Sequence, residues 1–206
     1  METTLEPRQI LIFACNGKND AFTDEDLKKI HDFVGQGGYL FTSDWMLKSL
    51  TERAFPGKVA FAGETPRKEQ WEVKIRPSAD AAAHPYNRDV FPIDPFERAN
   101  FNWKIHQRTH LLKLGAGVVT LVESEDLAQK LGETKKAGAR AIPVAVTFRI
   151  RAEKVETGGK GDEAGGVVLH VLSHFEDQRT KDGDGFALQQ LLLNFIVEKQ
   201  RSKRTG

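Results

Sequence analysis

At 206 residues the chain is long enough to bury one substantial core and suits one domain, or at most a domain with an appendage. Apolar residues make up 39% of it and charged residues 29%, with 13 Phe and 3 Trp, which excludes a disordered chain. Lys and Arg stand at 30 against 29 for Asp and Glu, so the overall charge favours neither nucleic acid nor an acidic membrane, and the single cysteine, Cys15, excludes an internal disulfide and a cysteine-built zinc site.

No apolar run approaches the roughly 20 residues that span a bilayer, and the first seven residues lack the basic-then-apolar character of a signal. A reducing, cytoplasmic setting without membrane attachment is expected. One domain is expected over residues 1–200, with 201–206 as a basic tail.

Gln9 to Cys15 is a nearly continuous apolar run, which reads as a strand covered on both faces. Thr23, three residues before Asp26, predicts a helix N-cap. Leu27, Ile30, Phe33 and Val34 then recur at helical spacing until Gly35-Gln36-Gly37-Gly38 stops the helix. Tyr39 to Thr42 is the next strand, and Ser43 or Asp44 caps a helix through Leu47, Leu50 and Ala54 that Pro56-Gly57 closes before the strand Val59 to Ala62. Strands alternating with helices predict right-handed crossovers and a mostly parallel sheet.

Trp71, Val73 and Ile75 alternate with charged residues, giving a half-exposed strand that Pro77 ends. Four prolines between residues 77 and 102 predict a long surface excursion with at most short helices. Gly117 to Glu123 is a buried strand, and Ser124 caps a short helix bearing Leu127 and Leu131. Residues 133–140 read as a solvated connection. Ile142 to Arg151 and Gly166 to Leu172 are strands of a hairpin around a Gly- and charge-rich loop, and Phe186 to Lys199 is an amphipathic helix.

Three passages carry a resemblance. Leu27 to Phe41 (helix, Phe-Val, Gly-Gly, strand), His84-Pro85, and Gly165 to Phe175 followed by the last helix together resemble the class I glutamine amidotransferase-like superfamily, in particular its trehalose-utilisation-protein-like, non-catalytic branch. The resemblance implies a flavodoxin-like three-layer α/β/α sandwich with a mostly parallel sheet, closed by a C-terminal β-hairpin plus helix. Members carry a further strand and helix before the strand matching Gln9 to Cys15, so a shortened sheet, or an edge completed by another chain, is expected.

In catalytic members a cysteine on a tight strand-to-helix elbow is served by a His-x-Glu pair. The matching elbow here is Phe41-Thr42-Ser43-Asp44-Trp45, and the matching pair is His174 and Glu176, so the resemblance implies Ser43, His174 and Glu176 as the candidate catalytic set. Phe41 and Trp45 stand where the elbow needs small residues, and serine is the weaker nucleophile. The expectation is therefore a non-catalytic module, a ligand-binding or protein-interaction domain within a larger bacterial assembly. A Ser-His-Glu hydrolase or amidase, or a sugar-related enzyme using His174 and the stretch around His84, is the alternative.

Sites in open parallel sheets lie at the carboxyl ends of strands, which singles out Asn16, Asp44, Trp45 and Gln178 as ligand-binding candidates beside His174 and Glu176. The partner is expected to be a protein or a polar small molecule, with a homo-oligomer also allowed. Cys15 itself reads as a small buried hydrophobe. His106 and His110, four residues apart, lack a third ligand for a metal, and Asp182-Gly183-Asp184-Gly185 lacks the later ligands of a calcium loop. No glycine loop for a nucleotide follows the first strand. Neither a metal nor a cofactor is expected.

Overall fold

The computed structural model describes residues 4–15, 22–91, 101–132, 141–151, 165–174 and 185–202. Its strands are β1 (Ile10–Phe13), β2 (Tyr39–Ser43), β3 (Val59–Glu64), β4 (Trp71–Lys74), β5 (Arg76–Pro77), β6 (Asn102–Ile105), β7 (His110–Leu114), β8 (Val118–Ser124), β9 (Ile142–Ile150) and β10 (Gly166–Val171). Its α-helices are α1 (Asp24–Gly35), α2 (Glu52–Ala54), α3 (Glu125–Lys130) and α4 (Gly185–Ser202).

The main sheet has six strands in the order β1-β2-β10-β9-β8-β5. Only β1 with β2 and β2 with β10 are parallel; β10 with β9, β9 with β8 and β8 with β5 are antiparallel. The expected mostly parallel, flavodoxin-like sandwich is thus corrected to an α/β fold with a mixed sheet. The reason lies in the connections. α1 supplies one crossover, from β1 to β2, whereas β8, β9 and β10 follow one another as sequence neighbours and pair as they turn back. A strand buried on both faces reads as an unbroken apolar run in either direction, so the sequence pattern carried no sign of its orientation.

β3 does not join this sheet. It pairs antiparallel with β7, and β4 pairs antiparallel with β6, making two ribbons beside the main sheet. β1 is an edge strand whose Ile12 is 50% exposed, not the strand covered on both faces that its apolar run predicts. The stretch after Pro77 is likewise not a surface excursion throughout, since Ser78, Ala81, Tyr86, Asn87 and Val90 are buried. It makes two single 3-10 turns, Ala79–Ala81 and Pro85–Asn87, and Asn87 Nδ2 ties it to the main sheet by donating to Leu121 O at 2.9 Å.

Both faces of the central strands are packed. On one, Thr42 accepts a hydrogen bond from Thr51 at 3.1 Å, and Phe55 meets Phe148 at 5.6 Å and His31 of α1 at 5.8 Å. On the other, Tyr39 meets Phe195 of α4 at 5.0 Å, and Phe195 meets Tyr86 at 5.4 Å. α1 starts where the sequence placed it: Thr23 Oγ1 accepts from the Asp26 backbone and the Asp26 carboxylate accepts in return from Thr23 N, a reciprocal capping box. No helix among the described residues is long and apolar enough to cross a membrane.

Candidate functional site

Because β1, β2 and β10 run parallel, their carboxyl ends lie together. Cys15 follows β1, Ser43, Asp44 and Trp45 close β2, and His174 follows β10. The Asp44 backbone N–H donates to Val171 O at 2.8 Å, and the Cys15 backbone N–H donates to Ser43 Oγ at 2.9 Å, so the three strand ends are stitched to one another.

Asp44 is the centre of the arrangement. It is fully buried and sits at φ 41°, a left-handed conformation that costs a non-glycine residue of order 1 kcal/mol. Its Oδ1 accepts from the His110 backbone N–H at 3.0 Å. Its Oδ2 accepts from the Thr109 hydroxyl at 3.1 Å and meets His174 Nε2 at 2.5 Å. A desolvated carboxylate needs such partners, and here both oxygens have them. The turn between β6 and β7 is therefore part of the site: besides Thr109 and His110 it presents the Arg108 carbonyl, which accepts the Trp45 indole N–H at 2.9 Å.

Burial of the His174 ring works against its charge, but the hydrogen bonds to Asp44 and to Cys15 and the charge of Asp44 outweigh it and raise its pKa to about 10. At neutral pH the ring is an imidazolium. His106 stacks on it with centroids 5.1 Å apart and planes 13° apart, and Trp45 meets both rings edge-on at 5.8 and 6.0 Å. Beneath the cluster His170 is wholly buried. Its Nδ1 pairs with Thr42 Oγ1 at 2.8 Å, its Nε2 has no partner, and burial drives its pKa down to about 3, which keeps the ring neutral.

Cys15 Sγ, a carboxylate oxygen of Asp44 and a ring nitrogen of His174 all lie within 4.8 Å of one another. Sulfur, oxygen and nitrogen are donors that suit a borderline cation, but the His174–Asp44 spacing is that of a hydrogen bond. A tetrahedral zinc ion would hold its nitrogen and oxygen ligands roughly 3.3 Å apart, given bonds of about 2.0–2.1 Å. The 2.5 Å separation of His174 and Asp44 would have to open before an ion could enter.

Of the residues singled out from the sequence, Ser43, Asp44, Trp45 and His174 meet here. Asn16, Glu176 and Gln178 lie outside the described residues, as do residues 133–140 and Asp182 to Asp184. The partner of His174 is Asp44, and the Ser43 hydroxyl accepts from Cys15 N–H. Neither Ser43 nor Asp44 caps a helix through its side chain. The chain instead enters a π-helical turn, Leu47–Thr51, whose N-cap Met46 makes no side-chain bond. Cys15 is half-buried and faces the imidazole, not packed away as a small hydrophobe. His106 and His110 do not share a helix, since His110 opens β7. Thr109 and His110 were not legible as site residues, because a hydroxyl and a backbone N–H at a turn between strands of two different ribbons leave no pattern in sequence.

No family model and no curated protein matches the chain. Solved structures of similar fold include the mmIFT52 N-terminal domain, with a TM-score of 0.52 at 6% identity over 91% of this chain and 76% of that one. They also include a ThuA-like protein from Bacteroides uniformis, with a TM-score of 0.49 at 11% identity over 91% and 69%, and an exo-beta-1,4-mannosidase from an Opitutaceae bacterium, with a TM-score of 0.48 at 11% identity over 90% and 24%. At such identities the likeness to the mmIFT52 domain is one of fold alone.

Proposed function

We propose that the chain is a divergent amidotransferase-like domain of the trehalose-utilisation-like kind that works by binding, and that the cluster at the ends of β1, β2 and β10 receives a polar small molecule or a peptide group of a partner protein. Two passages that carry the resemblance support it: residues 27–41 fold as helix, glycine turn and strand, and His174 stands directly after β10 and before the last helix. The carrying observation is the wholly buried Asp44, which takes a left-handed backbone and three hydrogen bonds to hold one charged imidazole at the strand ends. An imidazolium fixed in this way, flanked by Trp45 and His106, suits a ligand that offers a carboxylate or carbonyl oxygen and a flat surface. The test is NMR titration of the Trp45 indole N–H with small carboxylates and primary amides. Saturable shifts that His174→Gln abolishes support the reading, and an unresponsive indole across the panel overturns it.

A second reading is favoured by Cys15. A half-buried thiol hydrogen-bonded to an imidazole that a carboxylate orients is the arrangement of a nucleophilic cysteine, with Cys15 in the role that the sequence assigned to Ser43. With its proton already passed to solvent, the Cys15 sulfur would attack an acyl carbon, His174 would hand its proton to the departing amine or alcohol, and the neutral imidazole so formed would take a proton from the water that cleaves the thioester, releasing the acid and restoring both groups. Turnover of p-nitrophenyl acetate that Cys15→Ala eliminates and Ser43→Ala leaves in place supports this chemistry. Equal background rates in wild type and Cys15→Ala exclude it. No observation favours the sugar-related alternative.

A further inference from the structure

A second recess lies at the other end of the sheet. Its floor includes Tyr39, the first residue of β2, and Val167 of β10, so about four residues of strand, roughly 13 Å, separate it from Ser43. The cavity measures about 720 Å³. Its walls come from the sheet, from the Pro85–Asn87 turn and from the last turn of α4.

The lining is cationic above an apolar and aromatic base. Arg149 projects from β9, Lys58 and Arg201 approach from the sides, and Glu198 is the one acid, paired with Arg201 at 2.8 Å. Among the described residues the Lys58 ammonium donates to a carbonyl, Ala116 O at 3.2 Å, and to no carboxylate. Arg149 reaches Gly165 O at 3.5 Å and has no carboxylate partner among the described residues. Val119 lines the same recess and is 37% exposed, an apolar side chain left uncovered beside a guanidinium that has no carboxylate partner among the described residues. His84 adds a donor: its Nδ1 accepts from Tyr86 N–H at 3.2 Å, which leaves the proton on Nε2. Burial, and then the charge of Arg149, hold its pKa below the ordinary value.

We infer that this recess is a binding site for a small organic anion, a carboxylate or phosphate group carried on a flat apolar body, with Arg149 and Lys58 taking the charge and Val119 and the Tyr86 wall taking the body. A guanidinium without a carboxylate is free to form the forked bond that such groups accept, and an uncovered valine gives an apolar ring something to displace water from. The site is independent of the strand-end cluster.

Calorimetric titration of the full chain with benzoate and with phenyl phosphate, using sodium sulfate as the bodiless anion, tests it. Saturable binding of at least one aromatic probe, weakened about tenfold or more by Arg149→Gln and by Val119→Glu and unchanged by Cys15→Ala, is the expected result. Which probe binds tighter tells carboxylate from phosphate. Absence of saturable binding, equal affinity for sulfate, or an Arg149→Gln variant that binds like wild type overturns the inference. Both substitutions fall on partly exposed side chains, and an unchanged thermal midpoint confirms that each variant is folded.

Discussion

Asp44 is where local cost and local purpose are most visible. A buried charge in a left-handed backbone persists only because His174, Thr109 and His110 all converge on it. Removing the charge should therefore be expensive: Asp44→Ala is expected to cost about 3–5 kcal/mol in urea unfolding, because the imidazolium is left without its counter-charge. The linkage has a definite sign. His174 has a folded pKa of about 10 against an ordinary value near 6.5, so its contribution is complete below about pH 6.5 and fades as pH rises toward 10. His170 acts at the other limb. Held neutral with a pKa near 3, it refuses a proton that the unfolded chain accepts below about 6.5, and stability falls as the pH drops through that window. Urea midpoints measured from pH 4 to 10 should show a maximum near neutrality. Asp44→Asn should flatten the alkaline side and His170→Gln the acid side; if both variants keep the wild-type profile, the assignment of these two limbs is wrong. Asp44 and His174 were legible in the sequence as strand-end residues. Their mutual bond was not, because it joins positions 130 apart, and the bond from His110 N–H to Asp44 spans 66.

Among the elements, α1 shows how much a sequence can disclose when the signals are local. Its capping box, its apolar spacing and its glycine stop all lie within sixteen residues, from Thr23 to Gly38, and the helix forms there. Strand directions were not disclosed, for β9 and β10 are so buried that period and polarity are the same for either orientation. The helix expected after Ser43 forms through Leu47, Leu50 and Ala54, as a π-helical turn that runs on into α2, but Asp44, bonded to His174, does not cap it. The end of α1 also meets β10 closely. A Cβ added at Gly166 would stand 1.9 Å from Gly38 O and 2.3 Å from Val34 O, both backbone atoms that cannot move aside. Gly166→Ala is accordingly expected to destabilise by about 1–3 kcal/mol and to lower the thermal midpoint by several degrees. Differential scanning calorimetry checks this, and a midpoint at or above wild type would show that the helix end can give way.

At the scale of the whole molecule the mixed sheet divides the protein into regions of unequal protection. β2, β10 and β9 are interior strands buried along nearly all their length, while β1 is a half-exposed edge, and the β3-β7 and β4-β6 ribbons have only two strands each. Native-state hydrogen exchange should therefore be slowest in β2, β9 and β10 and faster by orders of magnitude at Ile12 and in the ribbons. Uniform protection across the three sheets would contradict this ranking. The single bond between Asp44 and His174 carries a further consequence, in time. It closes the span from the end of β2 to the end of β10, and everything between them, both ribbons included, must be routed before the two side chains can meet. Contacts of such long range form late, since the entropy of closing the loop is met before any reward arrives. Trp45, set edge-on against the His174 ring, is thus a built-in chronometer: its fluorescence should hold an unfolded-like value through the early phases of refolding and change only in the last one, when the protein acquires its working charge.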